Sequence, residues 1–292
     1  MMLATSFIIL RFCHFTALLL MLGCAICGAL LAPSALRTVV MKRLSPVWFP
    51  GAALCALSAL LLWAVQGGMM GDGWPDVFSP AIWLRLLQSH FGAVWLWQII
   101  FASVALAIAL IKPRGLSALL LILALGQVAL LGRTGHAAVS EGVAGVASQV
   151  SYALHLLAAG WWFGGLIPLL VCMALATRAR WHQPATVAMM RFSRYGHLAV
   201  ALVIATGIIN LLLITGFHWP SPTRYRTLLL VKVALVMVMV TLALINRYIL
   251  VPRFASKHNA ASRLFVMLTG AEIALSVAVL ALVSLFATLD PY

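Results

Sequence analysis

Long blocks of apolar residues, separated by short polar connections, run along almost the whole chain. Each block approaches or exceeds the roughly 20 residues that an α-helix needs to cross a bilayer. The blocks are continuously apolar rather than alternating, and this excludes a transmembrane β-barrel. The pattern predicts eight membrane-spanning helices, at about residues 6–32, 47–68, 92–111, 116–133, 149–176, 196–216, 227–250 and 264–287.

The composition agrees with this pattern. Of the 292 residues, 64% are hydrophobic and only 8% are charged, and the mean hydropathy is +1.11. Soluble domains carry about 25% charged residues, so an ordinary soluble domain is excluded. We therefore predict an all-α polytopic membrane protein in which residues 1–292 form a single integral membrane domain.

The net charge of +14 follows the predicted topology. Thirteen Lys and Arg residues fall in alternate connections, and the positive-inside rule places these connections in the cytoplasm. Four of the five acidic residues fall on the opposite side: Asp72, Asp76, Glu141 and Asp290. Both termini are thus predicted to be periplasmic, in a multi-pass protein of the bacterial inner membrane. Because the basic residues mark topology and the lipid surface, no nucleic-acid partner is predicted.

Two histidines lie within apolar blocks that resemble one another. His14 is followed nine residues later by Gly23, and His155 is followed nine residues later by Gly164. An ionisable ring inside a membrane span is costly, so it is a functional-site hypothesis by default. The similarity predicts two parallel four-helix repeats related by an axis along the membrane normal. These pseudo-repeats cover about 6–133 and 149–287.

Further polar residues accompany the two histidines. With the predicted orientation, nearly every helix places a strong hydrogen-bonding group in the outer half of the bilayer. Such groups turn toward the interior of a helix bundle, where they could line a hydrated vestibule. This outer polar layer comprises Arg11, Gln66, Gln98, Gln127, Asn210 and Lys232.

Imidazole is the commonest metal ligand in proteins, and it suits copper, zinc and iron. His14 and His155 are therefore predicted to bind one metal ion between the two halves, or the iron of one haem b. The alternative is that each ring only hydrogen-bonds a neighbouring helix. Candidate metal ligands at the outer mouth are His136, Met69 and Met70, since thioethers favour Cu(I). Asp72, Asp76 and Glu141 are candidate acids at the same mouth.

Two features lie toward the predicted inner half. Cys24 and Cys27 have C-x-x-C spacing, which places both thiols on one helix face, where they could accept Cu(I) or simply pack as small buried residues. Glu272 could pair with a cytoplasmic-end arginine such as Arg247. No nucleotide-binding glycine loop and no hydrolase or zinc-protease motif occurs in the sequence, so we predict that the chain is not an enzyme.

Scattered helix positions resemble the copper-resistance protein D (CopD/PcoD) family, and most closely its YebZ-type inner-membrane members. The resembling stretches are Arg11-Phe12-Cys13-His14-Phe15, Gln66-Gly67-Gly68, Phe91-Gly92, Gly135-His136-Ala137, His155 to Gly165, Leu229 to Lys232 and Asn246-Arg247-Tyr248. The resemblance implies an eight-helix protein of copper homeostasis that moves copper inward across the inner membrane. It also implies a small periplasmic copper-binding partner of the CopC type.

The resulting hypothesis is a copper permease that accepts copper ion, as Cu(I) or Cu(II), from the periplasmic side. Two other functions stay open at this point. One is a membrane haem protein of the b-type cytochrome kind, in electron transfer or metal reduction. The other is a non-transporting partner of a periplasmic copper carrier.

Overall fold

The computed structural model describes residues 2–134, 142–216, 223–253, 259–286 and 289, and these residues form helices and connections without a strand. His136, Glu141 and Asp290 lie outside the described residues. The α-helices are α1 Met2–Ile26, α2 Ser34–Arg43, α3 Ser45–Met70, α4 Pro80–Leu87, α5 His90–Ile111, α6 Leu116–Leu131, α7 Gly142–Ala176, α8 His182–Thr215, α9 Arg224–Leu244, α10 Val251–Arg253 and α11 Asn259–Phe286. π-Helical turns at Cys27–Leu31 and Ile245–Leu250 continue α1 and α9.

The predicted all-α membrane fold is confirmed. Seven helical runs in the described ranges are long and apolar enough to cross a membrane. α6 corresponds to the remaining predicted span but has only 16 residues. At 1.5 Å per residue it reaches roughly 24 Å, less than the roughly 30 Å of a bilayer core. The count of eight crossings and the periplasmic placement of both termini stay predictions.

The largest boundary difference is at α8, which begins at His182 rather than near residue 196. Its first turns carry basic residues that the apolar block left out, and one of them has a structural role. Arg191 donates a hydrogen bond to the carbonyl oxygen of Leu31, 3.2 Å away, and so satisfies an otherwise free carbonyl at the end of α1. The helix therefore extends beyond the apolar block, because a polar residue of its first turns forms a hydrogen bond to the end of a neighbouring helix.

Local capping fixes the connection between α5 and its neighbours. The Ser89 hydroxyl accepts a hydrogen bond from the Gly92 amide, a typical N-cap that starts α5 at His90. At the other end, Lys112 adopts a left-handed φ of 53°, and Gly115 adopts a φ of 81° before α6. This four-residue connection makes α5 and α6 antiparallel neighbours.

α1 lies at the centre of the bundle and contacts α3, α6, α7 and α11. In its most apolar 18 residues 78% are buried, whereas the corresponding stretches of α8, α9 and α11 are 22%, 11% and 17% buried. The N-terminal helices therefore form a closely packed core around α1, and the C-terminal helices present most of their apolar surface outward. In a membrane that surface faces lipid.

The two predicted repeats meet at their matching glycines. A Cβ atom on Gly23 would overlap the carbonyl group of Gly164, and a Cβ atom on Gly164 would overlap the carbonyl oxygen of Leu19. Backbones can approach this closely only where both residues lack a side chain, as in other small-residue helix contacts in membranes. The two-repeat organisation stays a prediction, and this crossing at equivalent positions supports it.

The same crossing sets the direction of the histidines. Nine residues are two and a half turns at 3.6 residues per turn, so His14 lies on the face of α1 opposite Gly23. His155 has the same relation to Gly164 on α7. Because the glycines face each other, each imidazole points away from the α1–α7 contact and into its own half of the bundle.

We predict that Gly23→Ala destabilises the protein, because the added methyl group must force α1 and α7 apart. The expected loss is about 1–3 kcal/mol in the free energy of unfolding, as for other overpacked contacts. The matched control is Gly270→Ala in α11, where a Cβ would meet no atom within 4 Å. Unfolding in mixed detergent micelles measures both, and equal stability of Gly23→Ala and wild type would contradict the contact.

Candidate functional site

His14 is the centre of a fully buried polar cluster. Its ring is 0% exposed and lies between α3 and α5. Nδ1 is 3.0 Å from the Ser58 hydroxyl, and Nε2 is 2.9 Å from the side-chain nitrogen of Gln98. Both ring nitrogens are therefore hydrogen-bonded inside the N-terminal half of the bundle.

The hydrogen-bond network fixes the tautomer of His14. The Ser58 hydroxyl donates its single proton to the carbonyl oxygen of Leu54, 2.6 Å away, so it accepts from the ring. Nδ1 must then carry the proton, and Nε2 presents its lone pair to the Gln98 amide. A histidine whose Nδ1–H is held by a hydroxyl or carbonyl oxygen has the orientation in which Nε2 binds a metal.

Gln98 and Gln127 extend this cluster. The Gln98 side-chain oxygen is buried and has no hydrogen-bond partner among the described residues. Such an orphan oxygen costs about 1–3 kcal/mol unless something binds it. Cys55 donates to the side-chain oxygen of Gln127, 3.2 Å away, and its sulfur lies 3.8 Å from His14 Nδ1. Rotating the Gln98 amide by half a turn would place its free oxygen beside His14 Nε2, giving a nitrogen and an oxygen donor for a cation.

Aromatic rings pack against the cluster from α5. The centroid of Trp95 lies 5.2 Å from that of His14, and Phe91 stacks on Trp95 at 5.5 Å. Both rings precede Gln98 on the same helix face, toward the predicted outer side. Arg11 lies 5.4 Å from the ring of Phe15 and not in the cluster. The aromatic pair therefore separates the His14 cluster from the predicted outer surface.

The C-terminal half repeats the arrangement around His155. Nδ1 of His155 is 2.9 Å from the hydroxyl of Thr206 on α8, and this hydroxyl donates in turn to the Leu202 carbonyl. His155 is therefore also protonated on Nδ1. Lys232 on α9 is partly buried and close enough to interact electrostatically with His155.

The described contacts favour two separate histidine sites. All hydrogen-bond partners of His14 come from α3 and α5, and that of His155 comes from α8. Within the ranges that the structure describes, no group of three or more His, Cys, Asp and Glu side chains could hold a metal ion. The prediction that one ion bridges the two rings remains untested, but the opposite facing of the rings argues against it.

Other predicted residues lie apart from these clusters. Gln66 is partly buried near the end of α3, and the side-chain oxygen of Asn210 is buried with no hydrogen-bond partner in the described part of the chain. Met69 and Met70 end α3 with 46% and 53% of their surface exposed. The carboxylate of Asp76 accepts from the Asp72 amide at 2.6 Å, so it stabilises the turn that follows.

A second buried polar cluster surrounds Glu272 at the predicted inner side. Glu272 is 2% exposed and accepts hydrogen bonds from Asn246, at 2.8 Å, and from the indole of Trp162. Arg247, the predicted partner of Glu272, donates instead to the carbonyl and hydroxyl oxygens of Ser193. Glu272, Asn246 and Arg247 line one cavity of about 720 Å³ between α7, α8, α9 and α11.

Comparison with known proteins identifies the family. Residues 2–146 match the sequence model of the N-terminal domain of copper resistance protein D-like proteins, and residues 186–286 match that of copper resistance protein D. The chain is 48% identical to the inner membrane protein YebZ of Escherichia coli (strain K12), over 100% of both chains. The chain belongs to the copper resistance protein D family.

Two more distant relatives of the chain are also named for copper resistance or copper transport. The chain is 30% identical to copper resistance protein D of Pseudomonas syringae pv. tomato, over 97% of this chain and 96% of that protein. It is 29% identical to the copper transport protein CutJ of Bacillus subtilis (strain 168), over 71% of this chain and 40% of that protein. No solved structure matches it. The resemblance predicted from sequence is confirmed, as is a multi-pass protein of the inner membrane in a family of copper resistance and transport.

Sequence reasoning missed the hydroxyl and thiol partners of the histidines in this family member. Ser58, Cys55 and Thr206 are small residues that an apolar block tolerates, so they carry no signal alone. The available signal was a hydroxyl residue near the middle of the second helix of each predicted repeat. A hydrogen bond to a ring on the preceding long helix satisfies each hydroxyl and each histidine together.

We predict that Ser58→Ala lowers the free energy of unfolding by about 1–3 kcal/mol, because the His14 Nδ1–H loses its buried acceptor. Ser284→Ala is the matched control, since Ser284 is also buried but donates only to the carbonyl oxygen of Leu280 on its own helix. Unfolding in mixed micelles measures the difference. If both variants lose equal stability, the His14–Ser58 hydrogen bond does not stabilise the fold.

Proposed function

We propose that this protein is a copper permease that takes copper from the periplasmic side through histidine sites within the membrane. The observation that supports this most strongly is the repeated histidine–hydroxyl pair. In each half, a hydroxyl on the next long helix holds Nδ1–H and leaves Nε2 as the metal-binding nitrogen. A histidine used only for packing has no need of the same tautomer at matching places in both halves.

The His14 cluster is the better candidate for the first intramembrane site. It offers the Nε2 lone pair and the unpartnered oxygen of Gln98, both fully buried. Imidazole with few further donors suits copper more than magnesium or calcium, which need several oxygen ligands. We propose that copper displaces the Gln98 amide hydrogen from His14 Nε2 when it binds.

The exposed end of α3 is the proposed mouth. Met69 and Met70 are exposed in the last turn of α3, and Asp72 follows after Gly71, so two thioethers and a carboxylate lie within four residues at the predicted periplasmic surface. We propose that a periplasmic CopC-like copper-binding protein delivers its ion here. Thioethers can exchange Cu(I) between proteins because they bind it without a charge of their own.

The contacts of His14 do not favour the haem alternative. A haem iron would need Nε2 of His14 free and a flat space beside the ring. In this conformation Gln98 engages Nε2, and Trp95 packs against the imidazole. Purified protein is therefore expected to show no Soret band that depends on His14.

We predict that His14→Ala and His155→Ala each reduce copper uptake into proteoliposomes by more than about tenfold, since loss of a ligand exceeds the effect of losing a group that orients one. His182→Ala is the control, because His182 is the first residue of α8 and its ring bonds the carbonyl oxygen of Ala176 at the end of α7. Elution on gel filtration checks folding. Normal uptake in both site variants would refute the histidine sites, whereas no copper uptake by the wild-type protein would refute the permease and leave a non-transporting partner.

Copper stoichiometry separates one shared ion from two separate sites. We predict that His14→Ala removes part of the histidine-bound copper and that only the double variant with His155→Ala removes all of it. X-ray absorption at the copper edge measures this fraction, because imidazole gives distinctive outer-shell scattering. Complete loss in either single variant would show a shared ion.

A further inference from the structure

The buried sulfur atoms of α1 and α7 form a group that the histidine sites do not use. The thiols of Cys27, in the π-helical turn after α1, and Cys172, in α7, line the same cavity and are close enough to interact. Cys24 lies beside Cys27, one turn earlier on the same helix. All three residues are buried. The sequence predicted the nearness of Cys24 and Cys27 but not the third thiol.

The thiols of Cys27 and Cys172 line a small cavity. A cavity of about 10 Å³ lies between α1, α7 and α8, and its walls include Cys27, Cys172 and Met189. This volume is about the minimum for one water, but a buried water needs two to four polar partners. The remaining walls are apolar side chains such as Ile26 and Phe192. The cavity therefore suits a small dehydrated cation that prefers sulfur better than it suits water.

We propose that Cys27 and Cys172, with the thioether of Met189, form a Cu(I) site in the inner half of the membrane. The proposal rests on the proposed copper permease and adds a second kind of site to it. Thiolates and thioethers are the ligands that select Cu(I). Cu(I) is stable with few sulfur ligands, so two thiols and a thioether suffice.

The close helix crossing explains why these sulfur atoms meet. Cys27 follows Gly23 by four residues, one turn further along the same face of α1. Cys172 follows Gly164 by eight residues, just over two turns along α7. Because the two backbones touch at the glycines, side chains one or two turns away still reach each other. The π-helical turn that begins at Cys27 is a type of distortion that frequently marks functional sites.

Charge balance favours this site in the low-dielectric interior. Cu(I) binding breaks the S–H bond of one thiol and forms an S–Cu bond, and the released proton leaves to solvent without electron transfer. The second thiol and the thioether bind as neutral donors. One thiolate then balances one Cu⁺, so the occupied site is as neutral as the empty one and avoids the cost of burying a net charge.

The sulfur site opens toward the inner cavity. Met189, Leu169 and Phe192 line both the small cavity and the cavity of about 720 Å³ around Glu272. Arg194 and Arg247 in the walls of the larger cavity mark it as the predicted cytoplasmic side. Cys27 lies thirteen residues beyond His14, roughly 20 Å along α1. The two kinds of site therefore lie on opposite sides of the glycine crossing.

The test is a Cu(I) titration of the purified full-length protein in nanodiscs, under anaerobic reducing conditions, against a chromogenic Cu(I) chelator. Cys27→Ser and Cys172→Ser are each expected to lose one equivalent of tightly bound Cu(I) and the ultraviolet charge-transfer band of copper–sulfur bonds. Met189→Leu is expected to lower the affinity for this equivalent of Cu(I) by about tenfold, as for the loss of other supporting groups at metal sites. Cys13→Ser is the matched control, since Cys13 is only half-buried on α1 and lies outside the cavity.

Cys27→Ala and Cys172→Ala keep the test valid if a buried hydroxyl disturbs folding, because alanine adds no polar group. Unchanged Cu(I) binding in well-folded variants of both cysteines would overturn the proposal. The histidine variants separate this failure from that of the proposed function. Lost Cu(I) in the cysteine variants with normal uptake in His14→Ala and His155→Ala would refute the histidine permease and leave the sulfur site. Unchanged Cu(I) binding in the cysteine variants, with reduced uptake in the histidine variants, would refute the sulfur site alone.

Discussion

The direct backbone contact between Gly23 and Gly164 is the constraint on which the rest of this structure depends. It places α1 against α7 at a distance that no side chain on either glycine would permit. It also fixes the rotation of both helices, because only one face of each carries the glycine. The histidines two and a half turns earlier therefore point into separate halves, and the cysteines one and two turns later point toward each other.

Inside a membrane, polar side chains must satisfy one another, and this requirement shapes the His14 cluster. Ser58 and Cys55 come from α3 and Gln98 comes from α5, yet each finds a partner around the same ring. The side-chain oxygen of Gln98 is among the buried polar atoms that have no partner among the described residues. An unpaired buried oxygen is costly, and copper bound at the proposed site would remove this cost if the Gln98 amide turned its oxygen toward the ion.

The sequence predicted the helices well because twenty-residue apolar blocks have few structural alternatives. Gln98 and Gln127 were also predicted to share a layer with His14, and the structure brings both to it. The nine-residue spacing already places each ring on the helix face opposite its glycine. Only the contact between the two glycines shows that the rings therefore point away from the α1–α7 interface. Cys172 could not be predicted as a neighbour of Cys27, because helix packing across more than a hundred residues leaves no local pattern.

The two proposed kinds of copper site differ in their ligands, and this difference bears on the direction of copper transport. The His14 cluster offers imidazole nitrogen and amide oxygen, whereas the Cys27 site offers thiols and a thioether. Cu(I) binds sulfur more strongly than it binds these harder donors. If both proposals hold, an ion that reaches His14 from the periplasmic side moves to a stronger site as it crosses the glycine contact. Release to the cytoplasm would then require an acceptor with at least comparable sulfur ligands, so inward transport would depend on the thiols that receive the ion.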